Sequence, residues 1–191
     1  MSTASSRRGA AVRPAVVVHR FRSQRHRIKL VVDEWGTWHK PGSEVHPSHH
    51  LGQQSSIRDA LVAGLTLDTF HRHADKVAMA NIVQLVNCLQ SLFLTDGDRC
   101  ITTPTYHVFE MYAPHSGAQA VRTEFGASST TDRVPAKGQV AGLAGSASVN
   151  DRTLTLTVVN THVTDACDTT ITVRGRRQIA VAPKSVDWTK A

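Results

Sequence analysis

Ile28-Lys29-Leu30-Val31-Val32-Asp33-Glu34-Trp35-Gly36-Thr37-Trp38 decides how the rest of the chain is read. Its first half is an almost unbroken branched-aliphatic run, the pattern of a strand buried on both faces in a parallel sheet. Its second half stops abruptly on two carboxylates and two tryptophans. Barrel enzymes present catalytic groups in this way, at the carboxyl ends of their strands. Glu34 is therefore the first candidate for chemistry.

Downstream, residues 36–54 form a loop rich in Gly, Pro, Ser and His, and a loop this long inside a compact domain is usually functional. Ser56 and Asp59 have capping-box spacing, with Asp in place of the preferred Glu or Gln. Ile57, Ala60, Leu61, Gly64, Leu65 and Asp68 then recur at helical spacing, with Phe70 close behind. Gly64 on that face is expected to permit close helix–sheet contact. Residues 76–82 read as a second buried strand, with Gln84 and Asn87 just beyond it. Strand, loop, helix, strand makes one βαβ unit of a parallel sheet. A short helix is expected over residues 85–94, ended by the Thr95-Asp96-Gly97-Asp98 turn. Pro104 opens another helical stretch to Tyr112, closed by Pro114 and Gly117.

The character changes after about residue 116. Residues 152–158 alternate polar and apolar strictly, as a half-exposed antiparallel strand does. Residues 169–173 and 178–181 repeat the theme, with turns at Asn150-Asp151 and Arg174-Gly175-Arg176. The expected fold class is α/β followed by all-β. Its segments are a basic, disordered leader over 1–26, an α/β part over 27–115 and a small, incomplete antiparallel β-sandwich over 116–191.

Composition narrows the function classes. The chain has 191 residues and a net charge of +7, with a pI near 9.8 and a mean hydropathy of -0.22. Residues 1–32 hold eight cations and no acid, so the remainder is close to neutral. A basic arm can bind phosphate backbones, but no nucleic-acid fold signature follows it, and a poorly ordered tail is the preferred reading. Val16-Val17-Val18 within it is an unsupported strand. Ser6-Arg7-Arg8 resembles a twin-arginine signal only weakly, because Arg13-Pro14 breaks the apolar stretch behind it. Cys88, Cys100 and Cys167 are an odd set without metal-ligand spacing, which suggests reduced thiols. No apolar run reaches membrane-spanning length. Cytoplasmic is the expected location, with no membrane partner. His46, His49 and His50 crowd one loop, yet no acid or thiol is placed to complete a metal set, so neither metal nor cofactor is expected. His71 and His73 are expected to meet the carbonyls at their helix end. Tyr106, Phe109 and Tyr112 share a helical stripe and are expected in the core.

The chain has four glutamates, Glu34, Glu44, Glu110 and Glu124. A retaining glycosidase needs two carboxyl groups about 5 Å apart. Asp33 is a poor partner for Glu34, since adjacent strand residues point to opposite faces. One carboxylate is well placed and a second is not evident.

The residues from Val31 to Trp38 resemble the nucleophile motif of glycoside hydrolase family 51, the α-L-arabinofuranosidases. The resemblance continues through Arg58-Asp59-Ala60-Leu61, Phe70-His71-Arg72-His73, Met79-Ala80-Asn81-Ile82 and Thr103-Pro104-Thr105-Tyr106. It is dense over residues 27–113 and weaker over 153–175. It implies that Glu34 is the nucleophile of a retaining enzyme, that Trp38 lines the sugar subsite and that Gln84 hydrogen-bonds the arabinose. It also implies arabinofuranosyl oligosaccharides as substrate, a role in L-arabinose metabolism, and a homo-oligomer, commonly a hexamer. The fold implied is the last two βα units of a (β/α)8 barrel followed by part of a β-domain. A whole barrel takes about 250 residues, more than this chain offers beside a sandwich. The family's acid/base glutamate lies in an Asn-Glu dipeptide, and none occurs here. The expectation is a truncated or frame-disrupted gene product, or one piece of a split enzyme, inactive alone. The alternatives are a non-catalytic carbohydrate-binding or assembly module, and a basic-tail nucleic-acid binder.

Overall fold

The computed structural model describes residues 28–40, 42–45, 49, 51–126, 129–130, 140–162 and 164–175. The leader with Val16–Val18, His46, His50 and residues 178–181 lie outside them.

The quoted stretch forms strand β1 (Leu30–Trp35), which pairs in parallel with β2 (Val77–Ile82), Val31 opposite Met79 and Val32 opposite Ala80. Between them runs helix α1 (Ile57–Arg72), the crossover that parallel pairing requires. Helix α2 (Pro104–Tyr112) follows, with Pro104 in its first turn and the Thr103 hydroxyl accepting from the Tyr106 amide. Trp35, Ala60, Ala63, Val108 and Tyr112 make the core, flanked by Val32, Phe70, Ala80, Ile82 and Phe109. Trp35 is its centre, edge-on to Phe70 and stacked on Phe109 at 6.0 Å. Burying a side chain such as Val108 stabilises by about 1.5–3 kcal/mol.

Burial on both faces of β1 is not what the structure has. Val32 and its neighbours face the helices, while Val31 is 52% and Met79 49% exposed. Among the described residues only one face of this two-stranded sheet is covered. The register also shifts between Val32 and Trp35. Two core residues are thereby spaced three apart, and Asp33 and Glu34 between them are both exposed. The strict alternation that separates adjacent side chains is interrupted there.

The helix expected over 85–94 does not form. Asn87 and Leu89 have φ of 52° and 50°, left-handed values that a right-handed helix cannot contain. The chain makes bends and then the hairpin β3 (Phe93–Asp96) and β4 (Arg99–Thr102), turning at Gly97. Asn87 closes it from outside, bonding Thr95 through backbone and side chain.

The later part is β-rich. Strands β5 (Gln119–Val121), β8 (Leu143–Asn150) and β9 (Thr153–Asn160) form an antiparallel sheet in the order β5-β8-β9. The short β6 (Ser129–Thr130) and β7 (Val140–Ala141) pair with each other. The alternating segment is β9 and Asn150-Asp151 is its turn, as expected, but residues 169–173 are not a strand. Gly64 explains how the two parts meet. A Cβ there would lie 2.9 Å from Val159 Cγ2, so the helix–sheet contact it permits is with β9.

Candidate active site

Glu34 is the next-to-last residue of β1 and exposed, its carboxylate without a hydrogen bond or ion pair among the described residues. It lines a shallow depression of about 220 Å³ with Trp35, Gly36, Thr37, Trp38, Val83 and Leu89. Gly36 is required by proximity. A Cβ on it would meet Val83 Cγ2 at 2.8 Å, and the Val83 amide donates to the Trp35 carbonyl at 2.9 Å. This carries the β1–β2 pairing one residue past the strands and brings the two strand ends together.

The loop after Gly36 is held from beneath. The Thr37 hydroxyl donates to Asp59 Oδ1 at 2.9 Å, and the Thr37 amide to Gln90 Oε1 at 2.9 Å. The Thr37 carbonyl accepts from Gln53 Nε2 at 2.9 Å. His39 Nε2 meets the same Asp59 oxygen at 3.1 Å, and the His39 amide donates to Gln53 Oε1. Gln90 Nε2 in turn donates to the Asp59 carbonyl at 2.6 Å. Asp59 and Gln90 are 0% exposed. The second oxygen of Asp59 closes the capping box with the Ser56 amide at 2.8 Å. Burial opposes ionisation of Asp59, but the Ser56 amide, Thr37, His39 and the Arg58 charge outweigh it and hold the carboxyl below its ordinary value. Trp38, between the two gripped residues, is 71% exposed and has no ring partner among the described residues.

Glu34 and Trp38 thus share one depression. Gln84 is exposed and follows Val83 through a cis peptide, beside the depression but not among its lining residues. No second carboxylate lines it among the described residues. Glu44 accepts from the Gly42 amide, Glu110 pairs with His107, and Glu124 pairs with Arg122. No group of three or more His, Cys, Asp or Glu able to hold a metal occurs among the described residues, and no helix there is long and apolar enough to cross a membrane.

Sequence reasoning missed Asp59, Gln53 and Gln90 as parts of the site. The one available signal was Asp where a capping box prefers Glu. A second buried cluster was also missed. Asp68 Oδ1 accepts from Tyr112 and Ser146, each at 2.8 Å, and Asp68 Oδ2 has no partner. His71 Nδ1 bonds Ser146 Oγ at 2.9 Å, so its partner is β8, not the carbonyls of its own helix end. His73 caps that end through its backbone amide, its side chain exposed. His115 joins Ser148 and Thr157, its ring 4.6 Å from that of His71. Of the aromatic stripe, Tyr112 is buried, Phe109 packs on the core and Tyr106 rests on Phe93.

Comparison with known proteins converges on one family. The model of the alpha-L-arabinofuranosidase C-terminal domain matches residues 33–188. An intracellular exo-alpha-L-arabinofuranosidase of Bacteroides ovatus is 50% identical over 94 residues, 48% of this chain and 18% of the relative. The solved GH51 arabinofuranosidase of Xanthomonas axonopodis pv. citri superposes with a TM-score of 0.56 at 39% identity, over 70% of this chain and 27% of that one. The Thermotoga maritima alpha-L-arabinofuranosidase, solved as an arabinose complex, gives 0.58 at 27% identity, over 73% and 30%. This chain therefore spans less than a third of each of them. With the β1-end carboxylate, the α/β-then-β order and a family match over most of its length, the chain belongs to the alpha-L-arabinofuranosidase C-terminal domain family, within the GH51 glycoside hydrolases.

Proposed function

We propose that this chain supplies the nucleophile half of a retaining α-L-arabinofuranosidase, acting on terminal arabinofuranosyl groups of oligosaccharides. The observation that carries the reading is Glu34, exposed and unpaired at the end of β1, in one depression with Trp38. A Glu34 oxygen forms a bond to the anomeric carbon as the glycosidic C–O bond breaks. The leaving oxygen takes a proton from a second carboxyl, which then draws a proton from the water that releases the sugar. In this reading the second carboxyl comes from elsewhere, since none lines the depression among the described residues. Trp38 offers an apolar platform to the furanose and Gln84 a polar group to its hydroxyls.

The same reading makes residues 27–115 the closing βα units of a (β/α)8 barrel and residues 116–191 a β-sandwich, preceded by a basic leader over 1–26. The exposed apolar face of β1 and β2, with Val31 and Met79 on it, fits a barrel wall whose inner or outer side further elements cover. A cytoplasmic setting agrees with three free cysteines and with the relative named intracellular. Assembly into a hexamer belongs to this reading too. A non-catalytic sugar-binding module is the second reading, favoured by a depression that no second carboxylate lines among the described residues, beside a largely exposed Trp38.

An activated aryl arabinofuranoside separates them, because its leaving group departs without a proton. The isolated chain releases the aryl alcohol slowly and Glu34→Gln abolishes the release. Natural oligosaccharides, deprived of acid assistance of about 10²–10⁴-fold, are not measurably cleaved. Release that persists in Glu34→Gln removes Glu34 from the mechanism. Turnover of oligosaccharides at full-enzyme rates refutes the half-site.

A further inference from the structure

Trp38 is the most exposed tryptophan described, yet its two chain neighbours are among the most tightly held residues of the loop. The amide, carbonyl and hydroxyl of Thr37 all end on buried or nearly buried side chains, and His39 is tied by its amide and its ring. The holding groups come from three separate places: Gln53 before α1, Asp59 in its first turn, and Gln90 in the bends before β3. They also hold one another, since Gln90 donates to the Asp59 carbonyl. A cap needs only one carboxylate oxygen from Asp59, and the other is spent on the loop. Two amides and a carboxylate hidden from water are costly unless fully bonded. Their bonds here end on the residues flanking the indole. A largely exposed side chain with no ring partner keeps one direction only if its backbone is fixed on both sides.

We infer that Asp59, Gln90 and Gln53 are positioning residues for Trp38, a buried clamp that presents the exposed indole beside Glu34 as a preorganised sugar platform. The sugar part of this statement rests on the proposed function, whereas the clamp does not. Where the fold survives, loss of a member frees the indole, so a platform present in one orientation becomes one of many. Ligand binding then carries the ordering cost that the clamp removes.

The test is the indole N–H spectrum of the whole chain, which has three tryptophans, with Trp38→Phe assigning the Trp38 signal. In Gln90→Leu and Asp59→Asn the Trp38 signal moves to its unfolded-chain position and its fluorescence anisotropy falls, while buried Trp35 keeps its shift. Thr37→Val, a milder change, gives the same displacement in smaller degree, and Thr37→Ser, which keeps the hydroxyl, restores the native signal. Should Gln90→Leu not fold, the Thr37 pair alone decides. An unchanged Trp38 signal in a folded Thr37→Val or Gln90→Leu overturns the clamp, as does equal movement of Trp35 and Trp38. Titration with an arabinofuranosyl oligosaccharide forms the second arm. About ten-fold weaker binding in Gln90→Leu joins clamp to sugar. Absence of binding in the wild type refutes the sugar reading and leaves the spectrum to judge the clamp.

Discussion

Asp59 and Asp68 lie on the same helix, and each is wholly hidden from solvent, yet the protein treats them in opposite ways. Asp59 collects the Ser56 amide, Thr37 and His39 with Arg58 nearby, and stays ionised. Asp68 is buried with Tyr112 and Ser146 as donors but one oxygen unpartnered, and burial raises its carboxyl above the ordinary value in spite of them and of Arg72. Counting donors decides the direction of the shift, because a buried carboxylate is favoured only as far as its oxygens are hydrogen-bonded. The charged network orders a loop at the candidate site. The other joins the α/β part to the β-rich sheet, where His71 and His115 stand over Ser146 and Ser148.

The largest effect expected from breaking this comparison is at the junction. A Cβ at Gly145 would run into the Thr157 carbonyl oxygen, which the β8–β9 pairing holds in place. Gly145→Ala is expected to cost more than about 3 kcal/mol, read as a lowered urea midpoint. Loss of both β8 and the Asp68 contacts should follow, with the Trp38 loop less affected.

Acid comes next. Burial, and then His71, push the His115 imidazole down to about 4, and burial lowers His71 as well. A group with a depressed folded pKa that is neutral when deprotonated favours the fold above about pH 6.5, and that stability disappears as pH falls towards 4. The His115 share is roughly 3 kcal/mol. Asp68 acts with the opposite sign: its raised pKa gives stability that is present in acid and lost as pH rises through the folded value. Arg72 and Tyr112 complete the groups facing the pair, and the Tyr112 phenol, raised by burial and by Asp68, stays neutral in this range. His115→Gln, which keeps a hydrogen-bonding head, is expected to flatten the loss between pH 6.5 and 4. Equal slopes in wild type and variant would contradict a neutral, buried His115.

Asp59→Asn has the smallest expected effect on stability, about 2 kcal/mol at pH 7, because an amide nitrogen then faces donors. Asp59 is depressed, so its contribution is present above the ordinary carboxyl pKa near 4 and fades as pH falls through the lower folded value. The variant should lack that fading below pH 4 while retaining the histidine loss above it. One substitution would thus separate the two networks by pH window.

What the sequence disclosed about these networks follows from local chemistry. The Ser56–Asp59 box, Pro104 at its helix start, the β9 alternation and the turn at Asp151 are local rules, and each appears in the structure. Residues 85–94 misled because their apolar spacing suits a helix, whereas Gln90 and Ser91 are buried by contacts far along the chain. Strand β8 carries no periodic signal, since Gly145, Ser146 and Ser148 face buried surroundings where apolar residues are the usual marker. Its serines are there to bond His71 and His115, partners at sequence distances that no window spans. That Glu34 and Trp38 lie near each other was legible because they stand on one short stretch of sequence. The clamp beneath them was not, being assembled from three separated segments.

Exposure of the purified chain to a mechanism-based arabinofuranosyl inhibitor, followed by mass mapping of the peptides, tests the proposed role of Glu34 most directly. The expected result is a single adduct on the peptide containing Glu34, absent in Glu34→Gln and reduced when Trp38 is replaced by alanine. An adduct on another carboxylate, with Glu34 unmodified, would contradict the assignment.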